Sequence, residues 1–576
     1  MARYQTLGVR AVPLLLALAI AAVSAREGPT AEAPRRNDIK PQWATDAGVA
    51  DFINTQIRAQ REAARPDRSR NQTRRDDPPL ELATDAQWCR RVFLDVIGRI
   101  PKIEELNRFQ AAPRATKKAD LVDQLLTSEI YAHEYARYWA TIWSNVLIGR
   151  PPTGETQQPL TNRDGLRQYL YRSMLGNKPY DLLVYELLTA TGATTPGEAN
   201  FNGATNYLVD KLPSGGVEAT EHVGRCFLGL RMRCAQCHCD PCGNRRPGDF
   251  WNLNAFFRQA QASPLDASGR GHAVLRDVDF VGDSGDRQEA ESYFELLGGK
   301  LLAAYPQFVD GTKIDPNGKV QVVNRRAELA RLVLRSDNLA KVAVNRLWAH
   351  FHGYGFCNPV DDLEIYPLFG HRDLLTGLGR EFAARGYDLK RLIRWCVLSE
   401  PYGLSSRVTA GNQHDDPTLV HEPLFSRFYV RRMQPEQVFE SVLTAAGSQV
   451  VDWSEASPAG LDEVRRQVIV AFGSDADRTP SRIGNVQQLL FMMNGELTAR
   501  ATSAAPPSFL HRLTARGLPE QKAVEWMFAA AFGRKPSASE LATTRELLAA
   551  YASDRSSAYQ DIWWALLNSN EFILVY

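Results

Sequence analysis

An excess of charge of either sign is missing from this chain of 576 residues. Its 68 Lys and Arg stand against 66 Asp and Glu, and the formal net charge of +2 generates almost no long-range field, which argues against a general nucleic-acid binder. Cysteine is scarce, with eight residues in all, so the chain is not a small disulfide-built scaffold. Beyond residue 25 no stretch approaches 18 uninterrupted apolar residues, which excludes a multi-span membrane protein. Also missing are a P-loop, a nucleophile elbow, a dinucleotide fingerprint and any repeat of fixed period. What remains is ordinary: 44% hydrophobic, 23% charged, 40 Gly and 32 Pro, the balance of a globular protein long enough for about three or four core-building units.

The first segment has a distinct layout. Arg3 and Arg10 precede the apolar run from Ala11 to Ala22, and the small residues Val23-Ser24-Ala25 follow, as in a secretory signal peptide. The run is shorter than the roughly 20 residues needed to span a bilayer, so the expectation is cleavage, export to the periplasm or beyond, and no transmembrane span in the mature chain. Residues 26–79 read as a basic linker, because seven Arg between Arg58 and Arg75 face only Glu62 and Asp67.

From residue 80 the pattern is helical. Leu121, Val122, Leu125, Leu126, Tyr135, Trp139, Ile142 and Trp143 recur at three- and four-residue spacing, giving one amphipathic helix or two in succession. Further helices are expected at 164–175, 180–190, 217–230, 326–334, 339–351, 374–384 and 389–398. Ser537 and Glu540 form a capping box that opens another. Residues 263–322 are rich in Gly, Asp and Pro and read as a connecting segment, with a turn at Asp315-Pro316-Asn317-Gly318. The fold class is therefore mainly α: two helical lobes, 80–262 and 323–576, joined by an irregular segment with little β structure.

Five of the eight cysteines crowd into 226–242, and Cys234-Ala235-Gln236-Cys237-His238-Cys239-Asp240-Pro241-Cys242 contains Cys-x-x-Cys-His, a pattern expected far less than once by chance at this composition. Two thiols three positions apart can reach both vinyl groups of one haem, and the following His then sits beneath the iron. Cys234 and Cys237 are thus candidate haem c attachment points and His238 the axial iron ligand, with Trp251, Phe256 and Phe257 as candidates to pack the ring. A zinc site is an alternative, although only one residue separates the two Cys pairs. A disulfide knot involving Cys226, Cys239 and Cys242 suits an exported chain as well. A Cys spacing typical of iron–sulfur clusters is absent.

A second constellation runs from Asn345-Arg346 through His350, His352 and Gly353 to Asp361-Asp362. On a helix the two His lie about 200° apart and cannot share a ligand, so a packed helix end with a Gly stop is one reading. The other brings His350, Asp361 and Asp362 toward Cys239 and Cys242 as a distal ligand, proton relay or metal site. A hydrolase using the same His350, Asp361 and Asp362 is a third.

Leu94-Asp95-Val96-Ile97-Gly98-Arg99-Ile100-Pro101, Tyr135-Ala136-Arg137-Tyr138-Trp139 and Cys234-Ala235-Gln236-Cys237-His238 resemble the planctomycete cytochrome-like domain of unknown function 1549. Asn345-Arg346-Leu347-Trp348-Ala349-His350, Pro359-Val360-Asp361-Asp362, Met493-Asn494-Gly495 and Phe532-Gly533-Arg534-Lys535-Pro536 resemble its usual partner, domain of unknown function 1553. The resemblance implies an exported protein, often with an additional N-terminal cytochrome c domain, whose relatives are commonly encoded beside sulfatase-like proteins. This chain departs from the pattern in two ways: no separate cytochrome domain is read before residue 80, and Cys239-Asp240-Pro241-Cys242 stands where relatives commonly have Asp-His-Pro-Phe. The expected function is a c-type haem protein in electron transfer or redox chemistry, with a redox partner. The alternative is a cofactor-free or structurally zinc-bound binding or scaffold protein serving cell-envelope or polysaccharide-processing partners. Whether the chain is an enzyme is left open.

Overall fold

The computed structural model describes residues 39–64, 80–150, 160–239, 245–265, 271–280, 292–364, 370–419, 422–447, 458–472, 490, 492–506, 508–551 and 554–576. The apolar run at 11–22 and Cys242 lie outside the described residues. Helices dominate. The first half carries α1 (Asp46–Ala63), α2 (Asp85–Ile97), α3 (Ile103–Ala111), α4 (Lys117–Thr127), α5 (Glu129–Ile148), α6 (Arg163–Leu175), α7 (Tyr180–Thr189), α8 (Thr205–Lys211), α9 (Val217–Val223) and α10 (Pro247–Asn254). The second half carries α11 (Arg325–Arg335), α12 (Asp337–His352), α13 (Arg372–Ala384), α14 (Leu389–Leu398), α15 (Pro435–Ala446), α16 (Pro458–Phe472), α17 (Glu496–Ala501), α18 (Phe509–Ala515), α19 (Glu520–Phe532), α20 (Ala538–Ala550), α21 (Arg555–Leu567) and α22 (Asn570–Ile573).

Strand structure is confined, among the described residues, to three small antiparallel sheets. Strands β1 (Gly192–Ala193), β2 (Ala260–Pro264) and β3 (Ala273–Asp277) form one in the order β1-β3-β2. A hairpin of β4 (Ser292–Glu295) and β5 (Leu301–Ala304) forms the second, and β6 (Arg431–Arg432) with β7 (Leu574–Val575) the third. The chain is mainly α, and the segment between its halves is where most of the strands fall. Asp315 makes a local turn, its carboxylate accepting from the Asn317 amide at 2.9 Å, without opening a hairpin.

Local chemistry sets the helix ends. Thr84 and Gln87 form a capping box at the start of α2, and Gly98 stops it in the left-handed conformation at φ 81°. A side chain there would collide with the Tyr138 ring, 2.3 Å from an ideal Cβ, so only glycine lets α5 close over this end. Asp388 caps α14, whose Leu389, Leu392, Ile393, Cys396 and Val397 form its buried stripe.

Helix α2 is the centre of the fold. Ten of its residues are buried, Arg90, Arg91 and Asp95 among them. Buried charge costs several kcal/mol unless partnered, and the partners come from the far end of the chain. Arg91 donates to the carbonyls of Tyr402, Leu404 and Tyr576, and Arg90 to that of Phe572 at 2.7 Å. Asp95 pairs with Arg431 and accepts from the Tyr402 hydroxyl at 2.8 Å. The described residues of both halves accordingly form one compact unit.

The N-terminal stretch departs from the linker expectation. Within it α1 is an 18-residue helix with Val49, Ile53 and Ile57 fully buried. Arg61 pairs with Glu400 at 3.0 Å and donates to the Leu424 carbonyl. Two of the Arg residues that suggested a linker, Arg58 and Arg61, are what fasten α1 to the second half.

Candidate functional site

The Cys-rich loop grows out of a break in a helix. After α9 the chain makes a π turn over Gly224–Leu228, and Gly229 then takes φ 64°, its carbonyl accepting from the Leu363 amide at 2.8 Å. Leu230 and Met232 are buried and anchor the base, while the chain beyond them rises to the surface. Cys226 belongs to this base: its thiol is buried, its pKa is raised chiefly by burial, and its carbonyl accepts from Arg346 at 3.0 Å.

Cys234 opens a single 3₁₀ turn, Cys234–Gln236, in which the Cys237 and His238 amides both point to the Cys234 carbonyl at 3.4 and 3.3 Å. Ala235 is fully buried and pins the turn. The Trp251 indole on α10 donates to the Gln236 carbonyl at 3.0 Å and stacks on Phe294 of β4 at 5.8 Å. Cys234, Cys237, Cys239 and His238 are exposed, and all seven described cysteines carry free thiols. His238 Nδ1 lies 2.8 Å from the Cys239 carbonyl.

The second half grips both flanks of this loop. Asp361 accepts from Arg225 at 2.9 Å and from both Nε and a terminal nitrogen of Arg231 at 3.0 and 2.8 Å. Burial alone would raise its pKa, but the Arg225, Arg231 and Arg346 guanidiniums outweigh burial and hold the carboxyl below its usual range. On the far flank Arg245 pairs with Glu364 at 2.6 Å and donates to the Val309 carbonyl. Asn345 fixes this clamp in turn, its amide donating to the carbonyls of Cys357 and Val360, both at 2.9 Å. The Asn345-Arg346 pair therefore acts as a fastener: Asn345 holds the strip that bears Asp361, and Arg346 holds the base of the Cys loop.

Several expected site residues are engaged elsewhere. His350 is half-buried against Trp139, with Nε2 3.4 Å from both the Asp95 carbonyl and the Tyr138 hydroxyl, and desolvation pushes its pKa down to about 4. His352 stacks on Trp348 at 3.8 Å, and burial takes its pKa to about 3. Both ring nitrogens of His222 are occupied, by the Tyr207 hydroxyl and the Val146 carbonyl at 3.0 Å each. Asp362 is buried, with Oδ1 accepting from the Glu364 amide. Among the described residues no group of three or more His, Cys, Asp or Glu is placed to hold a metal ion. Phe256 and Phe257 are core residues, whereas Trp251 is half-buried and touches the loop.

The residues present fit thioether attachment of a haem. Two free thiols with the required spacing face solvent, and the adjacent imidazole has Nδ1 beside a backbone carbonyl, the arrangement that orients a metal-bound His through its other nitrogen. Sequence reasoning did not find Arg225, Arg231, Arg245 or Glu364, since their roles exist only once distant segments meet.

Comparison with known proteins gives two matches. Residues 69–262 match the family model described as PSCyt2, protein of unknown function (DUF1549), and residues 325–469 match PSD1, protein of unknown function (DUF1553). No curated protein and no solved structure matches the chain. The clamp just described thus joins the DUF1549 match, which contains the Cys loop, to the DUF1553 match, which contains Asn345, Asp361 and Glu364. The chain belongs to the proteins that carry a DUF1549 domain followed by a DUF1553 domain.

Proposed function

We propose that this is an exported c-type haem protein in which Cys234 and Cys237 carry the thioether bonds and His238 is the axial ligand, working in electron transfer or redox chemistry with a redox partner. The observation that supports this most is the presentation of the loop. The Cys-x-x-Cys-His side chains stand at the surface with free thiols, on a turn whose base and flanks are held by ion pairs, two of them to the buried Asp361. A haem so attached supplies one-electron chemistry. The protein's own contribution is to hold the loop still, orient His238 through the Cys239 carbonyl, and offer Trp251 as an apolar wall. The signal-peptide layout of residues 1–25 supports export to a compartment where such attachment takes place.

The test is an absorption spectrum of the chain exported from a host with cytochrome c maturation. A Soret band that remains after denaturation and disappears in Cys234→Ser/Cys237→Ser is the expected result. Protein with no Soret band, in a host that loads a control cytochrome, contradicts the proposal and favours the cofactor-free binding module.

A further inference from the structure

A cavity of about 260 Å³ lies far along the sequence from the Cys loop, where the start of α3, the end of α15, and α18 and α19 meet. Its lining is unevenly charged. Lys102, Arg512 and Arg516 face a single carboxylate, Glu104. Arg512 and Arg516 are four residues apart, one turn of helix, so their like charges repel unless an anion lies between them. Among the described residues, none of the three cations forms an ion pair. The apolar part is aromatic: Phe509 is buried in the wall, and the Arg516 guanidinium sits 4.3 Å from the Trp526 ring centroid.

We propose that this cavity binds a small oxyanion carried on a single flat apolar ring: a carboxylate, sulfate or phosphate monoester. Unpaired guanidiniums supply charge-assisted, bidentate hydrogen bonds to such a head group, and the Trp526 and Phe509 surfaces take the ring. The volume falls just below the roughly 300–1,000 Å³ of drug-sized pockets, which suits one ring rather than several. Three cations against one carboxylate select against neutral and cationic analogues of the same shape. This site does not rest on the haem proposal, and the two fail separately.

The experiment is calorimetric titration of the full chain with phenyl phosphate, phenyl sulfate, benzoate, benzamide and benzylamine. At least one of the three oxyanions binds, more weakly as salt rises, while benzamide and benzylamine give no heat at the same concentrations. Arg512→Gln/Arg516→Gln weakens oxyanion binding by about tenfold or more. Both arginines are exposed, so the variant keeps the wild-type circular dichroism and melting temperature. Trp526→Phe keeps a ring and retains binding. Benzamide binding as tightly as benzoate, unchanged affinity in the double arginine variant, or no heat from any oxyanion at millimolar concentration overturns the proposal.

Discussion

His222, His352 and His371 are buried and His350 is half-buried, and desolvation depresses the pKa of each. The folded form therefore keeps them neutral, while the unfolded chain takes up protons near pH 6.5. Protons favour the unfolded state below that value, so this stability is present at pH 7 and is lost as the pH falls toward the folded values, about 4 for His350 and about 3 for His352. His350 and His352 each contribute a loss of about 1 kcal/mol between pH 7 and 5.5, and His222 and His371 act in the same direction. Urea midpoints at the two pH values check this: a clear drop is expected, and coincident curves contradict it. Asp361 is the single residue on which the Cys-loop clamp depends most. Asp361→Asn leaves Arg225 and Arg231 without their shared carboxylate, at an expected cost of roughly 2 kcal/mol, discounted because Arg231 is partly solvated. The same variant exposes the base of the loop, so Cys226 reacts faster with a thiol reagent while exposed Cys234 changes little.

Helix by helix, the chain was legible where a periodic stripe and its own caps agreed. The predicted 389–398 stripe is α14 residue for residue, bounded by the Asp388 cap, and the Ser537–Glu540 capping box opens α20 as its spacing requires. Where two signals conflicted, the pattern misled. In α1 the Val49, Ile53 and Ile57 stripe was masked by the Arg-rich stretch that runs on from it, and the burial of Arg61 against Glu400 depends on a residue over 300 positions away. The helix expected at 217–230 is broken by a π turn and by Gly229, a detour that sends the loop out to the surface. A Cβ on Gly229 would lie 2.6 Å from Leu363 and 2.7 Å from Val342, in a left-handed conformation that already disfavours a side chain. Gly229→Ala is expected to cost about 2–3 kcal/mol by thermal or urea unfolding, against a few tenths for Gly248→Ala, where nothing lies within 4 Å. Equal effects would remove the close approach as the reason for this glycine. The Cys-x-x-Cys-His motif itself was read directly from the sequence, whereas the clamp around it could not be, because salt bridges between distant segments leave no local periodicity.

At the scale of the whole molecule, the two matched domains share one interior. The buried polar groups of α2 are satisfied by residues 402–437 and 572–576, so a fragment of residues 80–262 alone leaves Arg90, Arg91 and Asp95 without partners. Such a fragment is expected to lack fixed tertiary structure by near-ultraviolet circular dichroism, and a cooperative native-like melt would show that the domain stands alone. This shared interior also bears on function: the second half braces the Cys loop through Asp361 and Glu364 while its His352 and His371 stay in the core. The most direct measurement of the central proposal uses the arginines that frame the loop, since trypsin cutting after Arg233 and Arg245 releases Cys234–Arg245 as one peptide. From protein exported by a haem-loading host and treated with an alkylating agent, this peptide is predicted to carry one haem, with Cys239 and Cys242 alkylated and Cys234 and Cys237 unavailable. The same peptide recovered without haem, with all four cysteines alkylated or joined in disulfides, would contradict it.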